Sequence, residues 1–222
     1  MQTDTAHQAW DARWGTTEGR AEWLAPDPEV RDVAERLAAR LQTAKALDLG
    51  CGIGRHALLF AGLGFETVAV DMAEQGLTEV RRAADAEGLS IPTRAAPMTE
   101  LPFADQNFDY VLAFNVLYHG DGGVVRTAFG EIARVLKPGG TFQATMLSKR
   151  NAGFGLGTEI SPNTFVREAG EGDDSDKAHP HFYCNAAELV ALLAGFELIS
   201  LRDVAQKSPG HMHWQFVAER LG

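Results

Sequence analysis

Ala46-Leu47-Asp48-Leu49-Gly50-Cys51-Gly52-Ile53-Gly54-Arg55 is the stretch on which the fold turns. Ala46 to Leu49 is an apolar run of strand length. Glycines at alternate positions then open a turn, and Arg55 to Leu63 continues as a helix stopped by Gly64. A glycine turn between the carboxyl end of a strand and the start of a helix lets a ligand approach backbone that a Cβ would block. It does so beside the positive end of the helix, which predicts a nucleotide-like ligand. Asp71 lies 21 residues beyond Gly50, at the end of the following strand, where a carboxylate can accept from both hydroxyls of a ribose.

Outward from that turn the same alternation repeats. Asp27-Pro28 has the chemistry of a helix start, and Val30, Val33, Leu37 and Leu41 follow at helical spacing. Phe65 to Val70 reads as a strand, Ala73 to Glu87 as a helix stopped by Gly88, and Ile91 to Ala95 and Phe108 to Phe114 as strands. A helix from Val124 to Leu136 is closed by Lys137-Pro138-Gly139-Gly140, and Thr141 to Leu147 is the next strand. Asn185 with Glu188 forms a capping pair for a helix reaching Ala194, and Phe196 to Leu201 and Trp214 to Ala218 complete seven strands. The pattern predicts an open, doubly wound α/β fold with a mainly parallel sheet, in one domain over 1–222. Residues 1–43, with Trp10, Trp14 and Trp23, read as an N-terminal helical cover. Residues 148–183, with Gly153, Gly155, Gly157 and an acidic run at 171–176, read as an irregular lid on the substrate side.

Composition narrows the function classes. Of 222 residues 45% are hydrophobic and 23% charged, the profile of a globular protein. Lys plus Arg is 20 against 30 for Asp plus Glu, and the net charge of −10 argues against a nucleic-acid partner, which needs a basic surface. No apolar run approaches the ~18 residues of a membrane span, and the first residues lack a leader pattern. Two cysteines, Cys51 and Cys184, imply no disulfide framework, so the expected setting is reducing and cytoplasmic.

Gly52-Ile53-Gly54-Arg55-His56-Ala57 also matches the dinucleotide fingerprint G-x-G-x-x-A, a weak signal alone. The neighbouring residues favour another reading. Asp48 before Gly50-Cys51-Gly52-Ile53-Gly54, then Leu101-Pro102-Phe103, Asn107-Phe108-Asp109-Tyr110-Val111 and Val135-Leu136-Lys137-Pro138-Gly139-Gly140, resemble in order and spacing the class I S-adenosylmethionine-dependent methyltransferases. Within them the chain is similar to the small-molecule branch that includes tellurite-resistance-type enzymes, over about 44–218. The resemblance implies a Rossmann-like sheet with its last strand antiparallel and S-adenosyl-L-methionine as cofactor. It also implies a set of cofactor-binding residues. Gly50, Gly52 and Gly54 would lie against the methionine portion, Asp48 would orient its amino group and Asp71 would hold the ribose, with Cys51 and Met72 also among the cofactor-binding residues. Met98 and Thr99 would meet the adenine, and Asn115 would sit beside the sulfonium. The chain departs from the family at Pro97, where members often carry Asp, so backbone groups of Met98 or Thr99 would serve the adenine amino group.

Methyl transfer from a sulfonium is an in-line displacement with a good leaving group, so positioning and exclusion of water can supply much of the catalysis. A base is needed where the acceptor keeps its proton. Tyr118 and His119, after the fourth strand, and His181, at the end of the irregular stretch, are the catalytic candidates, with His179 beside them. His179-x-His181 and His211-x-His213 also have spacing suited to metal ligation, but without a third ligand in view the set is incomplete and no metal is expected. After the fourth strand the chain reads Asn115-Val116-Leu117-Tyr118, not the Asn- or Asp-Pro-Pro-aromatic element of base-amino methyltransferases, which favours a small-molecule acceptor. Arg150 and Arg167 are candidates to pair with an acidic one. Two other readings stay open: an NAD-dependent oxidoreductase, and a cofactor-binding sensor without turnover.

Overall fold

In the computed structural model, which describes residues 3–41, 43–168, 172–206 and 209–222, the expected strand from the glycine turn is the centre of the sheet. β1 (Lys45–Leu49) runs parallel to β2 (Glu66–Asp71) on one side and to β4 (Phe108–Ala113) on the other. Leu47 is opposite Val68 and Val111. β3 (Thr93–Ala95) extends the sheet beyond β2, and β5 (Leu136–Ser148) extends it beyond β4, both in parallel. β10 (Met212–Arg220) pairs antiparallel with β5, and β9 (Phe196–Ala205) antiparallel with β10. The order β3-β2-β1-β4-β5-β10-β9 makes β10 the strand that runs against the others, as expected from the sequence. The strand order reverses between β1 and β4, and ligands of open α/β sheets bind at such a point, outside the carboxyl ends.

Both faces of the central strands are apolar because both are covered. Ala46, Tyr110 and Leu112 face α3 (Pro28–Arg40), whose Val30, Val33, Ala34 and Leu37 are buried against them together with Phe60 of α4 (Arg55–Gly62). The alternate residues Leu47, Leu49, Val111 and Ala113 face Val125, Phe129 and Ile132 of α6 (Gly122–Val135). α5 (Glu74–Glu87) packs Leu77 and Val80 near Ala57 and Ala69, and α7 (Ala186–Leu192) starts with the expected capping box, Asn185 and Glu188 bonding reciprocally. The Leu101-Pro102-Phe103 turn is clamped by α6. Leu101 N–H donates to Glu131, and Arg134 donates to the carbonyls of Leu101 and Phe103. Lys137 reaches both oxygens of Asp109 at 2.8 and 2.9 Å, and β5 begins at Leu136, ahead of the predicted Thr141.

The stretch expected to be irregular is partly ordered into strands. β6 (Thr158–Ser161), β7 (Thr164–Val166) and β8 (His181–Cys184) form a small sheet, with a 3-10 helix at Gly172–Ala178; of the acidic run, Glu171 falls outside the described residues. β4 pairs with β5 only as far as Ala144, and β8 takes the vacated edge at Leu147 and Ser148. Strands of three and four residues among glycines carry too little alternation to be read from sequence.

Asp48 shows why the glycine turn can lead straight into a helix. The cap residue of α4 is Gly54, which has no side chain, and Asp48 Oδ2 instead accepts from Ala57 N–H at 2.9 Å. The carboxyl is 1% exposed, and desolvation pushes its pKa up to about 7 against the opposing Ala57 bond. A folded-state pKa above the unfolded value means the folded chain binds the extra proton. This group's contribution is therefore greatest at low pH and is lost as pH rises toward 7. Asp48→Asn keeps an acceptor without the buried charge, so denaturant unfolding at pH 5 and pH 8 is expected to show a flatter pH dependence than wild type. Asp48→Ala is expected to cost about 1–2 kcal/mol at pH 5 and less at pH 8; unchanged stability of Asp48→Ala at pH 5 would remove the capping role.

Candidate functional site

Each glycine of the turn meets a different neighbour. Gly50, Gly52 and Gly54 have φ of +68°, +52° and +83°, values side chains rarely adopt. A Cβ on Gly50 would fall 2.4 Å from Val116 Cγ2, one on Gly52 3.1 Å from Trp14, and one on Gly54 2.7 Å from Val80 of α5. Gly50 thus admits the loop after β4, Gly52 admits the N-terminal cover, and Gly54 brings α4 against α5. Asp71 ties this turn to the end of β2, its Oδ2 accepting from Gly52 N–H at 2.7 Å and its Oδ1 from Ala73 N–H at 2.8 Å. Desolvation raises its pKa, and the backbone bonds from Ala73 and Gly52 work against that.

Above these residues lies a cleft, open to solvent, whose lining mixes aromatic and apolar side chains with a few polar groups. Gly50, Cys51, Gly52 and Asp71 form its floor, Met72 and Met98 its walls, and Asn115 one end. Asn115 has φ +60°. It is held there by Thr145, whose Oγ1 accepts from Asn115 N–H at 2.7 Å and donates to Asn115 Oδ1 at 2.9 Å. The roof comes from α1 (His7–Trp14), α2 (Thr17–Arg20) and the 3-10 turn Ala21–Trp23. Trp10 stacks on Trp14 at 5.1 Å between centroids and meets Trp23 edge-on at 5.3 Å. Burial raises the Cys51 thiol well above its usual pKa, so it acts as a small apolar surface.

A second pocket adjoins the first and shares Trp10, Trp23 and Asn115 with it. Between them lies a cluster assembled by backbone pairing. Gly120 N–H donates to Pro180 O at 3.0 Å and Phe182 N–H to Tyr118 O at 2.9 Å, which sets His119 across from His181 with ring centroids 4.8 Å apart. Tyr118 packs on His119, His181 and His213. His181 Nδ1 is 2.8 Å from the His179 carbonyl, and its Nε2 is 3.1 Å from Asp176 Oδ2 and 3.5 Å from Lys177 Nζ. Both ring nitrogens of His181 are therefore engaged within the cluster. His119 is the contrast, with Nδ1 and Nε2 buried and neither hydrogen-bonded. Burial, reinforced by the neighbouring His181, lowers the His119 pKa well below its usual value, so its ring is neutral near pH 7. Burial likewise holds the Tyr118 phenol protonated.

His119, Asp176 and His181 place ligand atoms within 4.8 Å of one another, the third ligand that sequence spacing did not supply. Lys177 Nζ already lies 3.2 Å from each carboxylate oxygen of Asp176, however, so the cluster has its cation in place and a divalent ion would meet an ammonium. The cluster is thus read as an ion-pair network. His213 faces the second pocket, its Nδ1 bonded to the His211 carbonyl at 2.8 Å and its pKa pushed down to about 4, chiefly by burial.

The structure thus gathers Tyr118, His119 and His181, and brings Gly50, Cys51, Gly52, Asp71, Met72, Met98 and Asn115 to the cleft. Three predicted cofactor contacts differ. Asp48 points to α4 behind the turn, Gly54 is covered by Val80, and Thr99 is not among the cleft-lining residues. His181, a candidate base, has no nitrogen to spare, and His179 is bonded to Thr5 Oγ1 at 2.8 Å. Residues that the sequence reading missed are Arg55 and His56 on the cleft wall and Asp176 and Lys177 in the cluster. Arg55 and His56 directly follow the glycine turn and were readable as helix N-terminal neighbours of the ligand; Asp176 had no local signal beyond the acidic run.

Residues 46–140 match the methyltransferase-domain family. A ubiquinone biosynthesis O-methyltransferase of Methylocella silvestris is 35% identical over 123 residues, 54% of this chain and 46% of its own length. A probable S-adenosylmethionine-dependent methyltransferase of Mycolicibacterium smegmatis is 31% identical over 170 residues, 75% of this chain and 57% of its own. The chain therefore spans about half the length of the curated relatives it matches. Among solved structures, the 1,6-didemethyltoxoflavin-N1-methyltransferase of Burkholderia thailandensis, with bound 1,6-didemethyltoxoflavin and S-adenosylhomocysteine, superposes with a TM-score of 0.71. It is 21% identical, covers 97% of this chain and 87% of its own, and shows the shared fold.

The contact between Gly50 and Val116 is open to direct test. Gly50→Ala adds a Cβ at left-handed φ against a β-branched side chain, and is expected to lower stability by about 2–4 kcal/mol in denaturant titration. Val116→Gly in the same chain, which removes the Val116 Cβ 2.5 Å from the added one as well as the methyls, is expected to restore a measurable part relative to its own single-variant cost; strictly additive effects would show that the two residues do not meet.

Proposed function

Because the chain belongs to the class I S-adenosylmethionine-dependent methyltransferases, we propose that it binds S-adenosylmethionine in the first cleft and transfers a methyl group to a small molecule held in the second pocket. The observation that carries this reading is the meeting of the two spaces at Asn115, beyond a floor of glycine backbone and the Asp71 carboxylate.

The residues present suit the cofactor. Each oxygen of Asp71 accepts one backbone N–H and so keeps a lone pair for a ribose hydroxyl. Gly52 lets Trp14 lie against the turn and roof it, and Met72 and Met98 offer polarizable apolar walls for a ring. When bound, S-adenosylmethionine supplies an electrophilic methyl on a sulfonium. The chain itself excludes water with the Trp10, Trp14 and Trp23 roof, and fixes Asn115 through Thr145 at the seam where the acceptor would enter. His119 lines the first cleft beside Asn115 with neither ring nitrogen hydrogen-bonded, so it is our general base for acceptors that arrive protonated; Tyr118 and His181 position it. Among the described residues no helix is long and apolar enough to cross a membrane, and the buried free cysteines Cys51 and Cys184 suit a reducing, cytoplasmic setting.

Calorimetric titration with S-adenosylmethionine, S-adenosylhomocysteine and NAD tests the cofactor. Saturable binding of both sulfur nucleotides and none of NAD is expected, and NAD binding alone would overturn the proposal. Asp71→Ala is expected to weaken cofactor binding by about 1.5–3 kcal/mol, the scale of lost charge-assisted hydrogen bonds. With an acceptor in hand, His119→Ala is expected to lower kcat by about 10²–10⁴-fold at unchanged cofactor Kd. The wild-type rate should fall on acidification only below the usual histidine range, as the depressed His119 pKa requires. Wild-type turnover in His119→Ala would remove it as the base.

A further inference from the structure

The second pocket has a charge pattern unlike the rest of the chain. The protein carries a net charge of −10, yet this pocket is lined by Arg13, Arg167 and Lys177, with Asp176 as its carboxylate among the described residues. Asp176 is already engaged, 3.2 Å from Lys177 and 3.1 Å from His181. Arg167 makes no ion pair among the described residues. Its backbone N–H donates to Lys177 O at 2.8 Å, which holds the two basic residues side by side. The Arg13 guanidinium carbon lies 5.3 Å from the Trp10 centroid and 5.8 Å from that of Trp23, beside the seam with the first cleft. Arg167 and Lys177 thus face the single Asp176 carboxylate with one positive charge in excess, which a bound anion balances. Flat aromatic surfaces of Trp10, Trp23 and Tyr118 border the same space and suit a planar ring.

Resting on the reading of this pocket as the acceptor chamber, we propose that it selects a small planar acceptor bearing an anionic group, such as a hydroxylated aromatic carboxylate. The anion lies toward Arg167 and Lys177, and the nucleophile toward Asn115 and His119. The same cations reject an acceptor carrying an ammonium group. Arg167, named in the sequence as a partner for an acidic acceptor, takes that role in the pocket; Arg150 instead lies 3.5 Å from Asp203 in an ion pair and is not among the pocket's lining residues.

The test is calorimetry on the full chain saturated with S-adenosylhomocysteine, using three matched probes: 3-hydroxybenzoate, 3-hydroxybenzyl alcohol and 3-hydroxybenzylamine. The benzoate is expected to bind at least about tenfold tighter than the alcohol, the amine weakest. The advantage should shrink as salt is raised from about 50 to 500 mM. Arg167→Gln and Lys177→Gln, separately, are each expected to remove most of the benzoate's advantage while S-adenosylhomocysteine affinity stays unchanged. Equal affinity for the three probes, preference for the amine, or no benzoate binding to protein that binds S-adenosylhomocysteine would overturn the anionic pocket and leave the methyltransferase reading in place. Failure to bind S-adenosylhomocysteine would instead overturn that underlying reading.

Discussion

The carboxylate of Asp71 joins two strands that diverge toward different helices, and the cleft depends on that junction. Its two oxygens take the N–H groups of Gly52 and Ala73, so the turn after β1 and the turn after β2 are held in one arrangement. A charged acceptor is worth more here than a neutral one, because charge-assisted hydrogen bonds are stronger and the group is largely shielded from water. The left-handed turn can then present bare backbone upward while Gly50 and Gly54 lie tightly against Val116 and Val80. Asp48 plays the matching part underneath, capping α4 from the strand side where Gly54 has nothing to offer.

The second organising feature is the edge of β5. Because β4 stops pairing at Ala144, the last residues of β5 are available to β8, and β8 carries His181 into register with the loop after β4. The insertion is therefore joined to the domain by backbone ladders as well as by side chains, and this lets it deliver Asp176 and Lys177 to the centre of the molecule. The N-terminal cover closes the same space from the opposite side, and Thr5 and His179 link the two by a hydrogen bond. Three separate parts of the chain converge on the second pocket, at Trp10, Asn115 and Lys177.

Electrostatics divide the labour among the histidines. His181 and His213 each spend Nδ1 on a carbonyl two residues back, which fixes their rings. Neither ring nitrogen of His119 makes such a bond, and burial, reinforced by His181, keeps its ring neutral. The residue with the most unusual environment is thus the one with a lone pair to give, a common signature of functional sites.

The order of strands and helices, the central glycine turn and the Asp71 position were legible from residues 46–71 onward, because they depend on local chemistry: glycine where φ is positive, apolar periodicity, caps and breakers. That chemistry acts within a few residues, so the seven-stranded sheet with one reversed strand is written in the sequence. What the chain does with Gly54, Asp48, Thr99 and His181 was not legible, since those residues differ from their predicted roles only in which way they face and what reaches them from elsewhere. The same holds for the short strands of the insertion and for the meeting of His119 with Asp176, 57 residues further along. Residue type and spacing determine what each segment can form; side-chain partners far apart in the chain are set only when the sheet closes and β8 takes the free edge of β5.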